Sequence, residues 1–96
     1  MAMTFKERDI KDRFKEEAER KGALVRKINY ENRIGCPDWL VAYRGKLYLV
    51  ELKKPDGKLR PGQEREIRRY YEQGIQVYVL KTIVHVSIFF SNLNEN

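Results

Sequence analysis

Residues 38–53 read DWLVAYRGKLYLVELK, two runs rich in aromatic, β-branched and aliphatic side chains, Trp39–Tyr43 and Lys46–Lys53, split by Arg44-Gly45. Runs of this length around a two-residue break predict a β-hairpin, even though the break lacks the favoured Asn-Gly pair. A two-residue turn pairs Tyr43 with Lys46, and counting outward sets Asp38 directly opposite Glu51. Side chains alternate between the two faces of a strand, so these acids share a face with the apolar pairs Leu40/Leu49 and Ala42/Leu47. Lys53, two residues past Glu51, joins them. Like charges placed opposite one another destabilise a sheet by roughly 0.2–1 kcal/mol, so a fold that keeps them has a use for a cation between them. If Gly45 forms a bulge instead, the register slips by one and the pairing is lost.

Outward from the hairpin, the chain punctuates itself clearly. Thr4 with Glu7 makes a capping-box pattern, and Ile10, Phe14 and Ala18 recur at helical spacing until Gly22, which predicts a first helix from about Phe5 to Lys21. Ala23–Tyr30 reads as a strand, Glu31–Pro37 as a loop, and Pro55-Asp56-Gly57 ends the hairpin. Pro61 suits a first helical position, Ile67, Tyr70 and Tyr71 give the next helix an inner face, and Gly74 closes it before a strand over Ile75–Lys81. The tail Thr82–Leu93 reads as a strand from its β-branched content, or as a helix from Thr82 as cap with Ile83, Val86 and Phe90 at helical spacing. We carry the helical reading forward. The order α-β-β-β-α-β-(α) is that of a mixed α/β sandwich.

The chain has 96 residues, a length suited to one compact domain, with 42% hydrophobic residues to build a core. Its formal charge of +6 suits a polyanionic partner without requiring one. The single cysteine, Cys36, excludes an internal disulfide, and with His85 as the single histidine no zinc site of the usual kind can be assembled. Charge appears at Lys6 and Glu7 before any signal-peptide core, and no apolar run approaches membrane-spanning length. These features point to a soluble, cytoplasmic protein with no membrane partner.

Taken singly, Pro37-Asp38 is an ordinary turn and Glu51 or Lys53 an ordinary solvated strand end. Together they supply what phosphodiester hydrolysis needs: oxygen ligands for Mg²⁺ or Mn²⁺, and a cation to orient water and meet the gathering negative charge. Asp38 and Glu51 are the candidate ligands with the Leu52 carbonyl as a further hard donor, and Lys53 is the candidate catalytic cation.

Pro37-Asp38 and Glu51-Leu52-Lys53 resemble the PD-(D/E)xK nuclease superfamily, and Gly35-Cys36-Pro37-Asp38, Glu51-Leu52-Lys53, Gln63 and Glu7 resemble its VRR-NUC (virus-type replication-repair nuclease) family, from Glu7 to Leu80. The resemblance implies a restriction-endonuclease-like mixed sheet flanked by helices, with residues 1–96 as one nuclease domain. It implies a Mg²⁺- or Mn²⁺-dependent DNA endonuclease of phage or bacterial origin that selects branched DNA. It also implies that Glu7 and Gln63 complete the catalytic shell. Glu7 falls on the inner face with Ile10 and Phe14, so it serves as a metal ligand, as the capping-box partner of Thr4, or as both. Gln63 falls on the inner face with Ile67 and Tyr70, where it can position water or phosphate. Arg60 departs from the small capping residue common in the family, which leaves that helix start without its usual cap. Lys27, Lys54 and the outer-face arginines Arg65, Arg68 and Arg69 are candidate DNA contacts, although such cations are often simply solvated. His85 reads as packed against the tail and Cys36 as a loop residue.

Two other functions remain open: a catalytically silent DNA-binding or assembly module, and a sequence-specific restriction-type endonuclease, for which a chain this short leaves little base-reading surface. A symmetric homodimer is expected from the apolar faces. If helix one and the Gln63 helix cover the Leu40/Leu49/Ala42/Leu47 face, the face with Trp39, Val41, Tyr48, Val50 and Leu52 needs the tail or a second copy, and the tail has apolar surplus for a two-fold contact. Two sites so related match the symmetry of a four-way junction.

Overall fold

Arg44 and Gly45 both adopt positive φ, 48° and 80°. This is the requirement of the tight hairpin turn whose twist matches that of its strands, so no bulge intervenes. Stacking of the Arg44 guanidinium 5.1 Å from the Tyr43 ring centroid helps offset the cost of left-handed backbone at a non-glycine. In the computed structural model, which describes residues 7–93, the turn joins β2 (Trp39–Tyr43) to β3 (Lys46–Leu52) with Tyr43 opposite Lys46 and Trp39 opposite Val50. The next pair outward is Asp38 and Glu51, as the sequence predicts.

β1 (Leu24–Lys27) pairs antiparallel with β2, and β4 (Val77–Leu80) pairs parallel with β3, giving a mixed sheet of order β1-β2-β3-β4. Helix α1 (Glu7–Lys21) precedes the sheet, α2 (Pro61–Glu72) makes the crossover from β3 to β4, and α3 (Ile83–Asn92) follows. The expected cap at Thr4 lies outside the described residues. Every expected element is present, and the outer strands are shorter than their apolar runs. Tyr71, expected on the inner face of α2, is 74% exposed.

The tail is the helix. Thr82 Oγ1 accepts the His85 N–H at 3.0 Å, and Val86, Phe89 and Phe90 follow at helical spacing, all buried. A strand would have split these three between two faces.

The layering differs from expectation. α1 does not cover the Leu40/Leu49 face; it packs with α3 on the opposite one, where Ile10, Phe14 and Ala18 meet Trp39, Val41, Val50 and Leu52. Phe14 is the centre of this core, with ring centroids 5.5 Å from Trp39 and 5.4 Å from Phe90. Full burial of such a side chain contributes roughly 1.5–3 kcal/mol. Both faces of β2 and β3 are apolar, so side-chain alternation alone could not choose between them. The chain therefore closes the Trp39/Val41 face itself, and Val86, Phe89 and Phe90 of the tail are core, whereas Val84 and Ile88 remain 63% and 53% exposed. A partly bare surface on the sheet is a cross-strand row on the other face, Leu24–Ala42–Leu47, with Leu24 50% and Leu47 68% exposed.

Candidate active site

Asp38 and Glu51 are brought together by the hairpin register, and the contact is direct: the Asp38 backbone N–H donates to Glu51 Oε1 at 3.2 Å. Glu51 is 2% exposed, an expensive place for a carboxylate. Its other oxygen, Oε2, accepts the Gln63 Nε2 hydrogen bond at 2.9 Å and lies 3.8 Å from Lys53 Nζ. Burial first, then the negative charge of Asp38, push Glu51 up to about 7, with Lys53 pulling the other way.

Gln63 is held in place by the feature that the sequence left without a role. Arg60 provides no side-chain cap for α2; instead Gln63 Oε1 accepts the Arg60 backbone N–H at 2.8 Å, the back-reaching half of a capping box. With its oxygen committed to Arg60, the amide nitrogen must face Glu51. Capping the helix and orienting the site are one act of one side chain.

The loop that carries Asp38 is clamped to the same helix. Gly35 has φ +92°, and a Cβ there would stand 2.5 Å from the Gly62 carbonyl oxygen, so a glycine is needed both for the backbone conformation and for the close approach. Beside this contact Glu66, 7% exposed, accepts the Tyr30 hydroxyl at 2.6 Å, Arg69 at 2.9 Å and Arg33 at 3.3 Å. These bonds, Tyr30's first, hold the Glu66 carboxyl below its ordinary range in spite of its burial, and burial beside Glu66 pushes the Tyr30 phenol upward. Asp38 on the loop and Gln63 on α2 thus belong to one braced unit. Glu66 and Tyr30 escaped the sequence reading because a helix glutamate is usually solvated, yet Gln63, Glu66, Ile67 and Tyr70 stand at helical spacing and share a face.

Glu7 is exposed at the start of α1, not on the inner face, but it lines a cleft of about 330 Å³ together with Asp38 and Leu52. Lys27 Nζ lies 4.0 Å from Asp38 Oδ1. Lys54, Arg65 and Arg68 are exposed, whereas Arg69 is tied to Glu66. The Cys36 thiol donates to the Pro37 carbonyl at 3.2 Å and is pushed up by burial and by the charges of Asp38 and Glu51, which makes it a poor nucleophile. His85 Nδ1 accepts the Lys81 N–H at 3.2 Å, a role at the start of α3 away from the acids.

Among the described residues no three carboxylate, imidazole or thiol groups converge on one point. The donor set fits a hard divalent cation nonetheless: two opposed carboxylates, one of them buried and partly uncompensated, leave the remaining coordination to backbone carbonyl and water oxygens.

A mixed sheet flanked by helices, with an acid pair and a lysine at one end of its central hairpin, defines the restriction-endonuclease-like PD-(D/E)xK class. No family model matches the chain. It is 38% identical over 76 residues to a protein named "Putative nuclease p44" from Acyrthosiphon pisum secondary endosymbiont phage 1, a match that spans 78% of this chain and 82% of the relative. It is also similar to a solved structure described as a VRR_NUC domain, at 37% identity and a TM-score of 0.81, covering 88% of this chain and 94% of that one. The chain belongs to the VRR-NUC nuclease family.

Proposed function

We propose that this protein is a divalent-metal-dependent deoxyribonuclease that hydrolyses phosphodiester bonds, residues 1–96 acting as one catalytic domain. The observation that carries the reading is Glu51: a buried carboxylate opposed to Asp38, braced by Gln63 and 3.8 Å from a lysine. Asp38, Glu51 and the Leu52 carbonyl hold Mg²⁺ or Mn²⁺, with Glu7 reaching in from the shared cleft. An ion held there would supply Lewis-acid polarisation of the phosphate and of water. Lys53 orients that water and meets negative charge as it gathers on the phosphate. Gln63 keeps Glu51 aimed at its task, and the Glu66 brace keeps the Asp38 loop against α2.

The proposal extends to a symmetric homodimer acting on branched DNA in the cytoplasm of a phage-infected or phage-carrying bacterium. The surface that best supports pairing is the Leu24–Ala42–Leu47 row with Ile75, 45% exposed, because Val86, Phe89 and Phe90 of the tail are taken up by the core. Two sites related by a two-fold axis match the paired cuts that resolve a four-way junction. Purified protein with Mn²⁺ should nick a synthetic four-way junction faster than a linear duplex and stop on addition of EDTA. Tight DNA binding with no cleavage under any divalent metal would instead identify a silent binding module.

A further inference from the structure

Three lysine ammoniums crowd one aromatic ring beside Asp38. The Nζ atoms of Lys27, Lys15 and Lys11 stand 5.3, 5.5 and 6.0 Å from the Trp39 ring centroid. Lys11 and Lys15 are one turn apart on α1, and Lys27 ends β1, so two separate elements deliver charge to the same place. Trp39 itself is 5% exposed, whereas Lys11, Lys15 and Lys27 are all exposed. Each such contact contributes roughly 0.5–1 kcal/mol, a gain that mutual repulsion of three like charges largely offsets. The ring does not by itself explain why three cations gather there.

Nor do neighbouring acids explain it. Among the described residues neither Lys11 nor Lys15 ion-pairs with a carboxylate, and the one acid near Lys27 is Asp38, at 4.0 Å. Arg8, three residues before Lys11 on α1, lines the same cleft of about 330 Å³ as Lys11, Lys27, Glu7 and Asp38. Both of those carboxylates are proposed metal ligands. Once they are committed to a cation, Arg8, Lys11 and Lys27 line the cleft, with Lys15 beside them at the Trp39 ring, and among the described residues none of the four ion-pairs with any other carboxylate.

We propose that Arg8, Lys11 and Lys27 form a phosphate-binding cleft, extended by Lys15 beside Trp39, that carries a DNA strand into the Asp38–Glu51 site. The inference rests on the nuclease reading for the identity of the anion, and it names a route along α1 and β1 rather than along α2. Arg69 of α2 and Arg33 of the preceding loop are drawn to Glu66, whereas among the described residues Lys11 and Lys15 ion-pair with no carboxylate, and the cleft opens onto Asp38 itself. Phosphates flanking the scissile bond are held there by charge alone, without base readout, and that binding energy places the bond against Asp38 and Lys53.

The test is the salt dependence of binding to a fluorescein-labelled DNA duplex in Ca²⁺, followed over roughly 50–200 mM salt. Lys11→Gln/Lys15→Gln should reduce the log–log salt slope by about 2, near 0.9 for each lost phosphate contact, and weaken low-salt affinity about tenfold or more. Lys11→Arg/Lys15→Arg should restore the slope. Arg20→Gln/Lys46→Gln, the same charge change at the far end of α1 and at the hairpin tip, should leave it near wild type. Equal slopes for the two glutamine doubles, or a lowered melting temperature of the Lys11/Lys15 variant without a slope change, would overturn the cleft and leave the lysines as covers for Trp39. Cleavage of a synthetic four-way junction by wild type in Mn²⁺ is scored separately. Its absence would defeat the nuclease reading while a slope change still established the cleft.

Discussion

Replacing Glu51 with glutamine should stabilise the metal-free protein at neutral pH and abolish its response to metal. Glutamic acid titrates near 4.5 in an open chain, and burial with the charge of Asp38 raises Glu51 to about 7 in the fold. The folded state therefore binds this proton more tightly than the unfolded state does. The associated stability is fully present below pH 4.5, is lost as pH rises through about 7, and changes no further above that. A displacement of that size corresponds to about 3 kcal/mol. Glutamine cannot ionise and retains an oxygen for the Asp38 N–H, but it gives up the Lys53 contact and sets one amide against another at Gln63, costs of about 1 kcal/mol together. The net gain of about 2 kcal/mol is a rise in Tm on the order of 10 °C for a chain of this size. Thermal melts in EDTA should show Glu51→Gln above wild type at pH 8, with the gap closing as pH falls and wild type level with or above the variant near pH 4.5. Adding Mn²⁺ at pH 8 should raise wild type and leave the variant where it was. Parallel curves across this range, or a variant that melts below wild type at pH 8, would refute the claim that Glu51 is a buried, under-compensated carboxylate.

Gly35→Ala should lose about 2–4 kcal/mol in urea denaturation, because a left-handed backbone at alanine and a Cβ 2.5 Å from the Gly62 oxygen must both be relieved by moving the loop from α2. The same variant should lose cleavage beyond what its unfolded fraction explains. Leu47→Asp should convert a species of twice the 11.5 kDa chain mass into a folded monomer by light scattering, whereas Phe90→Asp, which buries a charge against Phe14, should not fold. Lys53→Ala should reduce the cleavage rate far more than it reduces Mn²⁺ affinity by calorimetry; abolished metal binding would make the lysine structural.

The parts of the fold legible in the sequence were those that local periodicity determines alone. The Asp38–Glu51 apposition followed from a two-residue break and side-chain alternation; Gln63 was named by the family resemblance, and its spacing placed it on the inner face of α2. Glu7 was read onto the inner face because it stands seven residues before Phe14, but a helix end projects past the core, and there the same angular position is exposed. The layering was not legible: Leu40, Ala42, Leu47 and Leu49 look as buriable as Trp39, Val41 and Val50, and the choice is made by how α1 and α3 meet around Phe14. That choice also hid the lysine cluster, since Lys11 and Lys15 reach Trp39 only when α1 lies on the Trp39 side. The Glu66 brace was hidden differently, because it needs Tyr30 and Arg33 from a loop whose path depends on the approach of Gly35 to Gly62.

The most direct test of the central claim is single-turnover cleavage of a labelled four-way junction in saturating Mn²⁺ by wild type, Asp38→Ala and Glu51→Ala, each confirmed as folded by its melt. The account predicts EDTA-sensitive cleavage by wild type and none by either variant, with junction binding in Ca²⁺ retained by all three. Near-wild-type cleavage by either folded variant would show that the acid pair is not the catalytic centre.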